Sequence, residues 1–340
     1  MPEQQKPARR HHVVSKFYLR RFTNPRQQLM RHPLDGKAHL QSVNDATVRK
    51  DFYTLHLPGV DQDTLEAHLG ELETEAGKAF TAILRDGSWP PTPEDRLAVS
   101  AWIGLQFLRG ENNRRSVEEI HRTLSKLEVG IATTDQLRKD LGMLEDTPDD
   151  EVEAARARML ATADTRPIDH HLHLAAMADM LESAVQLVFD RRPWLLIDFS
   201  WDALGTSDTP VALVPDAAAR AGHRGVGIGT AEELYVPLST RTALCVGNVG
   251  GTKPDRRGPG NQYMAQKLNQ YTLHTARRAI YYHPETDPFA AFAMPTVRQR
   301  ELNTSLRQIN GMIEETARAQ GRPSGLPTST DQALQPGFGS

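Results

Sequence analysis

The side chains in this 340-residue chain that could do chemistry are scattered along it. His11 and His12 sit among Arg9, Arg10, Lys16, Arg20 and Arg21. An imidazole beside several cations is pushed toward its neutral form, which serves as a base or a metal ligand. Arg20 and Arg21 carry the forked donors that grip a phosphate, although a solvated basic arm has the same composition. Glu66 and Glu73 are about two helical turns apart, so both carboxylates face one side, where they would bind a divalent cation or hold arginines. Ordinary helix surface is the plain alternative. Gln106 and Arg109 share one face of the very apolar stretch AWIGLQFLRG. Burying them is expensive unless they are partnered, and Glu66 or Glu73 is the expected partner of Arg109 if the two helices run antiparallel. A structural ion pair and an active-site wall both stay open.

Three further groups carry weaker signals. Asp169-His170-His171-Leu172-His173 opens a helix, and Asp169 with His173, one turn apart, has the spacing of a shared metal pair, but no glutamate stands between them as in His-Glu-x-x-His. Gly205-Thr206-Ser207-Asp208-Thr209-Pro210 lies between two strand candidates. There Asp208 is a base, a ligand or a turn former, and Ser207 is a nucleophile only if a base lies near. Arg115-Ser-Val-Glu-Glu-Ile-His121 resembles the Arg-x(4–6)-His pattern of the HEPN ribonucleases, in which a helical arginine and histidine cooperate in RNA cleavage. The chain has no Gly-x-Ser-x-Gly elbow, no P-loop, and no Gly-x-Gly-x-x-Gly between a strand and a helix, so no P-loop or Rossmann nucleotide site is expected.

Such residues work together only if the intervening elements carry them to one place. Residues 13 to 22 (VVSKFYLRRF) read as a short amphipathic helical turn, stopped by Thr23-Asn24-Pro25. Leu29 to Leu40 reads as a hairpin around Asp35-Gly36, and DFYTLHLPG as a further extended piece. From Asp63 the period becomes helical through Leu65, Leu69, Leu72, Ala76, Phe80 and Ile83, with Asp63 as N-cap and Asp86-Gly87 as the stop. Thr92 caps the next helix, with Pro93 at its first position. Residues 115 to 165 are charge-rich and helical in composition, and Ile168 to Phe189 is a strong helix. Four short apolar runs follow: WLLIDF, Pro210 to Pro215, Leu234 to Pro237 and Ala243 to Val246. They predict a small sheet. Residues 246 to 261 read as a Gly/Pro-rich loop, Gln262 to about Arg278 as the last solid helix, and IYYHP as strand-like.

Composition bounds the function classes. Lys and Arg number 40 against 43 for Asp and Glu, a net charge of −3, which excludes the strongly basic footprint of a DNA-coating protein but not a local basic site. Hydrophobic residues are 39% and charged residues 24%, enough for a real core. Cys245 is the single cysteine, which excludes an intramolecular disulfide and a Cys-rich zinc site. No apolar run approaches the roughly 18 residues of a membrane span, and MPEQQKPARRHH lacks the apolar segment of a secretory signal. A cytoplasmic protein without a membrane partner is expected.

These pieces together resemble a large, mainly bacterial family known only as domain of unknown function four-two-three-eight. Its opening, His-Tyr-Val-Pro-x-Phe-Tyr-Leu-x-x-Phe, is similar to the stretch from His12 to Phe22, with Val13 standing for Tyr and Ser15 for Pro. Its hairpin and Phe-Tyr step resemble Leu29 to Leu40 and Phe52-Tyr53. Its Leu-Glu-x(6)-Glu element resembles Leu65-Glu66 through Glu73, and its Gln-x-x-Arg helix resembles Gln106 to Arg109. Its Thr-Ser-Asp-x-Pro-Val turn matches Thr206 to Val211, its Pro-Leu-Ser strand matches Pro237-Leu238-Ser239, and its late helical Asn matches Asn269. The resemblance spans residues 11 to 285 or so and implies no settled activity. It implies that His12, Glu66, Glu73, Gln106, Arg109, Asp208 and Asn269 form a set, which fits one convergent pocket better than scattered surface.

The expected fold is α+β and predominantly helical, with an N-terminal hairpin and a later small sheet packed on a bundle of about five or six helices. A flexible arm over 1–10, one domain over 11–318 and a disordered tail over 319–340 are expected. The leading functional expectation is a phosphodiester hydrolase, a nuclease of the toxin or phage-defence kind acting on nucleic acid. In it His12 is base or ligand, with Asp208, Gln106 and Asn269 as further catalytic candidates. Arg20 and Arg109 hold phosphate, and Glu66, Glu73 and Asp208 hold a divalent cation (Mg²⁺ or Mn²⁺) or orient water. The alternative is a non-catalytic binding or regulatory module whose polar set is a structural network.

Overall fold

The computed structural model describes residues 10–50, 62–87, 89–163, 165, 170–190, 192–220, 226–296 and 306–323. Among these the chain runs β1 (Arg10–His12), α1 (Lys16–Leu19), β2 (Gln28–Pro33), β3 (His39–Ser42), β4 (Val48–Lys50), α2 (Gln62–Thr81), α3 (Pro93–Leu108) and α4 (Glu111–Ile131). It continues through α5 (Thr134–Asp140), α6 (Asp149–Thr162), α7 (His170–Phe189), β5 (Trp194–Asp198), β6 (Thr206–Ser207), β7 (Ala212–Val214) and α8 (Ala217–Arg220). It ends with β8 (Glu233–Pro237), β9 (Thr242–Val246), β10 (Arg256–Pro259), α9 (Gln262–Thr275), β11 (Ala279–Tyr282) and α10 (Leu306–Ala319). The fold is α+β and mostly helical. Two compact units divide the chain, Met1–Arg114 with Leu174–Arg300, and Arg115–His173 with Glu301–Ser340.

The first unit is built on two sheets. One has the order β3-β2-β11-β6. The β2–β3 hairpin turns through Asp35 and Gly36, and β11 inserts beside β2 in antiparallel register, with Tyr281 opposite Arg31 on one side and Thr206 on the other. The second sheet has the order β10-β5-β9-β8-β7, antiparallel except for the parallel pair β10–β5. All five residues of β9 are buried, because both faces of this sheet are covered. One face sends Trp194, Leu196, Leu234, Val236, Leu244 and Val246 into the main core, which they share with Phe80, Ile83, Trp102, Ile103 and Val188 of α2, its last turn, α3 and α7. The other face packs Ile197, Ala212, Tyr235 and Ala243 against Ala265 and Leu268 of α9. Each fully buried side chain of this size contributes about 1.5–3 kcal/mol.

Local chemistry explains most of the boundaries. Thr92 Oγ1 accepts from Asp95 N at 3.1 Å to start α3, with Pro93 in its first turn. Asn261 caps α9 in the same way through Met264 N. The helix through Phe80 and Ile83 loosens into a π turn at Ala82–Asp86 and stops at left-handed Gly87, φ 70°.

Several expectations need correction. The helix expected to be capped by Asp63 already begins at Gln62. The loop expected over 246–261 contains β10, whose Arg256, Arg257 and Pro259 are exposed. An edge strand satisfies its backbone through β5 and needs no apolar alternation, so nothing in its side chains announced it. The last helix stops at Thr275, because Ala276 is extended and the chain turns into β11. Residues 320–323, expected in the loose tail, are tied down: Gln320 Nε2 donates to Ile131 O and Arg322 Nη2 to Gly130 O. The piece DFYTLHLPG, residues 1–9 and residues 324–340 lie outside the described residues.

In the second unit Arg156 is fully buried, paired with Glu153 and donating to Val129 O. Gly130 lies against Ile313 of α10, where a Cβ would come within 2.6 Å of Ile313 Cγ1.

Candidate functional site

Ser15 organises the best-defined polar cluster. It precedes α1 and is fully buried. Its hydroxyl donates to Glu73 Oε1 at 2.7 Å. It accepts from Trp102 Nε1 at 2.9 Å, Gln106 Nε2 at 2.9 Å and Arg109 Nη2 at 2.7 Å. Arg109 Nη1 also pairs with Glu73 Oε1 at 2.8 Å. Three donors thus converge on a hydroxyl with two lone pairs, and the Glu73 carboxylate balances the guanidinium charge. The packing of α2 on α3 brings Glu73 to Arg109, and an aromatic cluster fixes the turn at Ser15. Tyr18 lies 4.8 Å from the Trp102 ring, and Phe17 and Phe80 pack edge-on nearby. Tyr18 also shares a buried 2.7 Å hydrogen bond with Thr206 Oγ1, and burial holds its phenol far above the usual range.

Asp208 lies just past β6. Its carboxylate accepts from Arg277 N at 3.0 Å and Arg278 N at 3.1 Å, pinning the chain where α9 gives way to β11. It also faces a cleft of about 230 Å³, lined by Val13, Arg31, Gln41, Asp45, Thr47, Val48, Thr209, Arg278 and Tyr281 besides itself. Burial, reinforced by the Asp208 charge, pushes the Tyr281 phenol up to about 12, while Arg31 and Arg278 act in the opposite direction. The pairing of β1 with β4 carries Val13, Thr47 and Val48 to this wall. His12, next to Val13, has Nδ1 3.0 Å from Ala46 O. A carbonyl only accepts, so Nδ1 donates in this contact.

Asn269 is buried and clamps a different segment, accepting from Gly205 N at 3.2 Å and donating to Ala203 O at 2.8 Å. Gly205 itself admits no side chain, because a Cβ there would collide with the Phe289 ring. Arg20 is exposed and outside the cleft lining. The backbone of Glu66 belongs to α2, but its side chain, like that of His173, lies outside the described set, and so does Asp169. Arg115 and His121 sit on the continuous α4, where a six-residue step leaves them about 120° apart around the axis. Among the described residues no group of three or more His, Cys, Asp or Glu side chains could hold a metal ion.

The structure therefore separates the expected set. Glu73, Gln106 and Arg109 meet around Ser15, Asp208 lies on the cleft beside the His12 strand, and Asn269 braces the segment before Asp208. Sequence reading missed Ser15, taken only as a departure from proline, and Trp102, taken as apolar. It also missed Arg31, Asp45, Arg278 and Tyr281, single polar residues on separate strands and turns that no local motif marks.

A helix-rich α+β unit with a buried serine-centred network and a cleft of mixed charge is what the geometry defines. The chain belongs to the family described as Protein of unknown function (DUF4238), whose model matches residues 10–286. Comparison with curated proteins and with solved structures gives no significant match. Among the described residues no helix is long and apolar enough to cross a membrane.

Proposed function

We propose that the chain is a phosphodiester hydrolase working at the cleft between the His12 strand and the Asp208 turn, a nuclease of the toxin or phage-defence kind. One observation carries this reading: two carboxylates, Asp45 and Asp208, and two arginines, Arg31 and Arg278, line the same cleft. Arginine forks hold phosphate and stabilise the charge that develops on it. Carboxylates orient water or a divalent cation, and His12, adjacent in sequence to the cleft residue Val13, is the candidate base. In this reading Gln106 and Arg109 act as positioning residues, since they hold Ser15 and with it the turn that follows His12. Asn269 positions the segment that leads to Asp208. A Mg²⁺ or Mn²⁺ requirement falls on Asp45 and Asp208, because these two carboxylates line the cleft and Glu73 does not.

The test is incubation of the purified protein with single- and double-stranded DNA and with RNA, with and without Mg²⁺ or Mn²⁺. Arg31→Ala, His12→Gln and Asp208→Asn are expected to lose about 10²–10⁴-fold in cleavage rate while remaining folded. Variants that cut as fast as the parent reject these roles.

A second reading, a non-catalytic binding or regulatory module, is favoured by a specific observation. Gln106, Arg109 and Asn269 make their hydrogen bonds to the protein's own interior. It predicts no cleavage with either metal, and that Arg109→Ala and Glu73→Ala lower the melting temperature as their principal effect.

A further inference from the structure

A second cavity of the first unit, about 510 Å³, lies over the five-stranded sheet and shares no residue with the Asp208 cleft. Its floor belongs to the sheet face that carries α9. Leu195 stands opposite Cys245 across β5 and β9, and Glu233 opposite Val214 across β8 and β7. Cys245 is also opposite Tyr235, two residues from Glu233, so the strand period of two puts all four on one face. Lys267 and Tyr271 of α9 form one wall, the segment after β9 supplies Asn248, Lys253 and Pro254, and Arg256 of β10 and Arg220 of α8 complete the rim.

The charges at this rim are unbalanced. Four cations face two carboxylates, Glu232 and Glu233. Arg220 is paired with Glu232 at 3.2 Å. Lys253 and Arg256 are exposed and, among the described residues, have no acidic partner. Lys267 Nζ lies 5.7 Å from the Tyr271 ring centroid. Below them Glu233 is held above its usual carboxylate range by burial, with Lys267 opposing that shift.

We propose that this cavity binds a nucleoside monophosphate, with Lys253 and Arg256 on the phosphate and the base and sugar against Leu195, Val214, Pro254 and Tyr271. The volume lies within the range of about 300–1,000 Å³ usual for small-ligand sites. Two unpaired cations of one sign are satisfied together by a phosphate dianion, whose three oxygens match an arginine fork and an ammonium; a monocarboxylate would leave one of them unpaired. Leu195, Val214, Pro254 and Tyr271 supply apolar area that a bare phosphate does not use.

Calorimetric titration of the full chain with AMP, GMP, CMP and UMP tests this, with adenosine and inorganic phosphate as controls. At least one nucleotide is expected to bind about tenfold more tightly than either control. The Lys253→Ala/Arg256→Ala double variant, altered only at exposed positions, is expected to lose that affinity about tenfold or more while keeping the parent's melting temperature. Absence of binding by all four nucleotides at about 5 mM, equal binding of inorganic phosphate, or undiminished binding by the double variant overturns the proposal. Asp208→Asn should leave the titration unchanged, so this test stands apart from that of the hydrolase.

Discussion

Ser15 Oγ lies 2.7 Å from Arg109 Nη2, a contact between residues 94 positions apart in which both side chains are essentially sealed from solvent. The short serine side chain is the meeting point for groups from α2 and α3, so the geometry of the N-terminal turn depends on a guanidinium contributed by the end of α3. The network holds the turn that follows His12.

Replacing Ser15 separates the hydrogen-bonding role from the backbone role. Ser15→Ala leaves the donors of Trp102, Gln106 and Arg109 short of an acceptor and should cost about 3 kcal/mol in urea unfolding. Ser15→Pro loses the same oxygen, but φ at this position is −53°, which proline adopts, and its stiffer unfolded state offsets up to about 1 kcal/mol. The expected order is parent, then proline, then alanine. An alanine variant within about 0.5 kcal/mol of the parent would show that the hub contributes little.

Asn269 offers a cleaner measurement, because its two bonds go to backbone groups. Asn269→Ala strands the Gly205 amide and the Ala203 carbonyl in the interior and should lower stability by about 2–4 kcal/mol. Asn269→Asp keeps the acceptor but loses the donor and buries a charge, so it should be at least as damaging near pH 7. Thermal melts of both variants decide this; an aspartate variant more stable than the alanine one contradicts the assignment.

Acid should release a contribution from Asp202. Hydrogen bonding from Arg241 foremost, with help from Thr240, lowers its carboxyl to about 2 from an ordinary 3.8, against the opposing effect of burial. A folded-state value below the unfolded one gives stability that is fully present above pH 4 or so and is lost as pH falls toward 2. Arg241 is exposed and Asp202 only part-buried, so solvent screening limits the worth of the pair to about 1 kcal/mol or less. Asp202→Asn should flatten that part of the stability profile measured by urea unfolding between pH 5 and pH 2; an identical slope in the variant would rule the pair out as a contributor.

Cys245 should be chemically quiet in the native state. It is 3% exposed, and burial first, then the neighbouring Glu233 charge, raises its thiol well above the usual range. Thiolate is the reactive form. Labelling by a thiol reagent at pH 8 is therefore expected to be slow in buffer and fast in denaturant. Equal rates in both would mean that the second sheet opens readily.

The periodic helices, the Asp35-Gly36 hairpin, the Thr92 cap and the four apolar strand runs were all readable in the chain, because each depends on neighbours within a few positions. So was the pairing of Arg109 with a carboxylate of the preceding helix, and Glu73 takes that place. The exposed strand β10 was not readable, since its pairing with β5 left no trace in its side chains. Nor was the difference between Gln106, held in the interior, and Asp208, on a cleft wall.

Sequence alone determined the periodic helices and the apolar strands, and that polar groups of a particular kind stand at particular points along the chain. The tertiary structure alone decided which of those groups meet. Tyr281 reaches Arg31 and Asp208 only because β11 inserts between β2 and β6. Burial and hydrogen-bond partnership are properties of contacts between distant residues, and local periodicity carries no record of them.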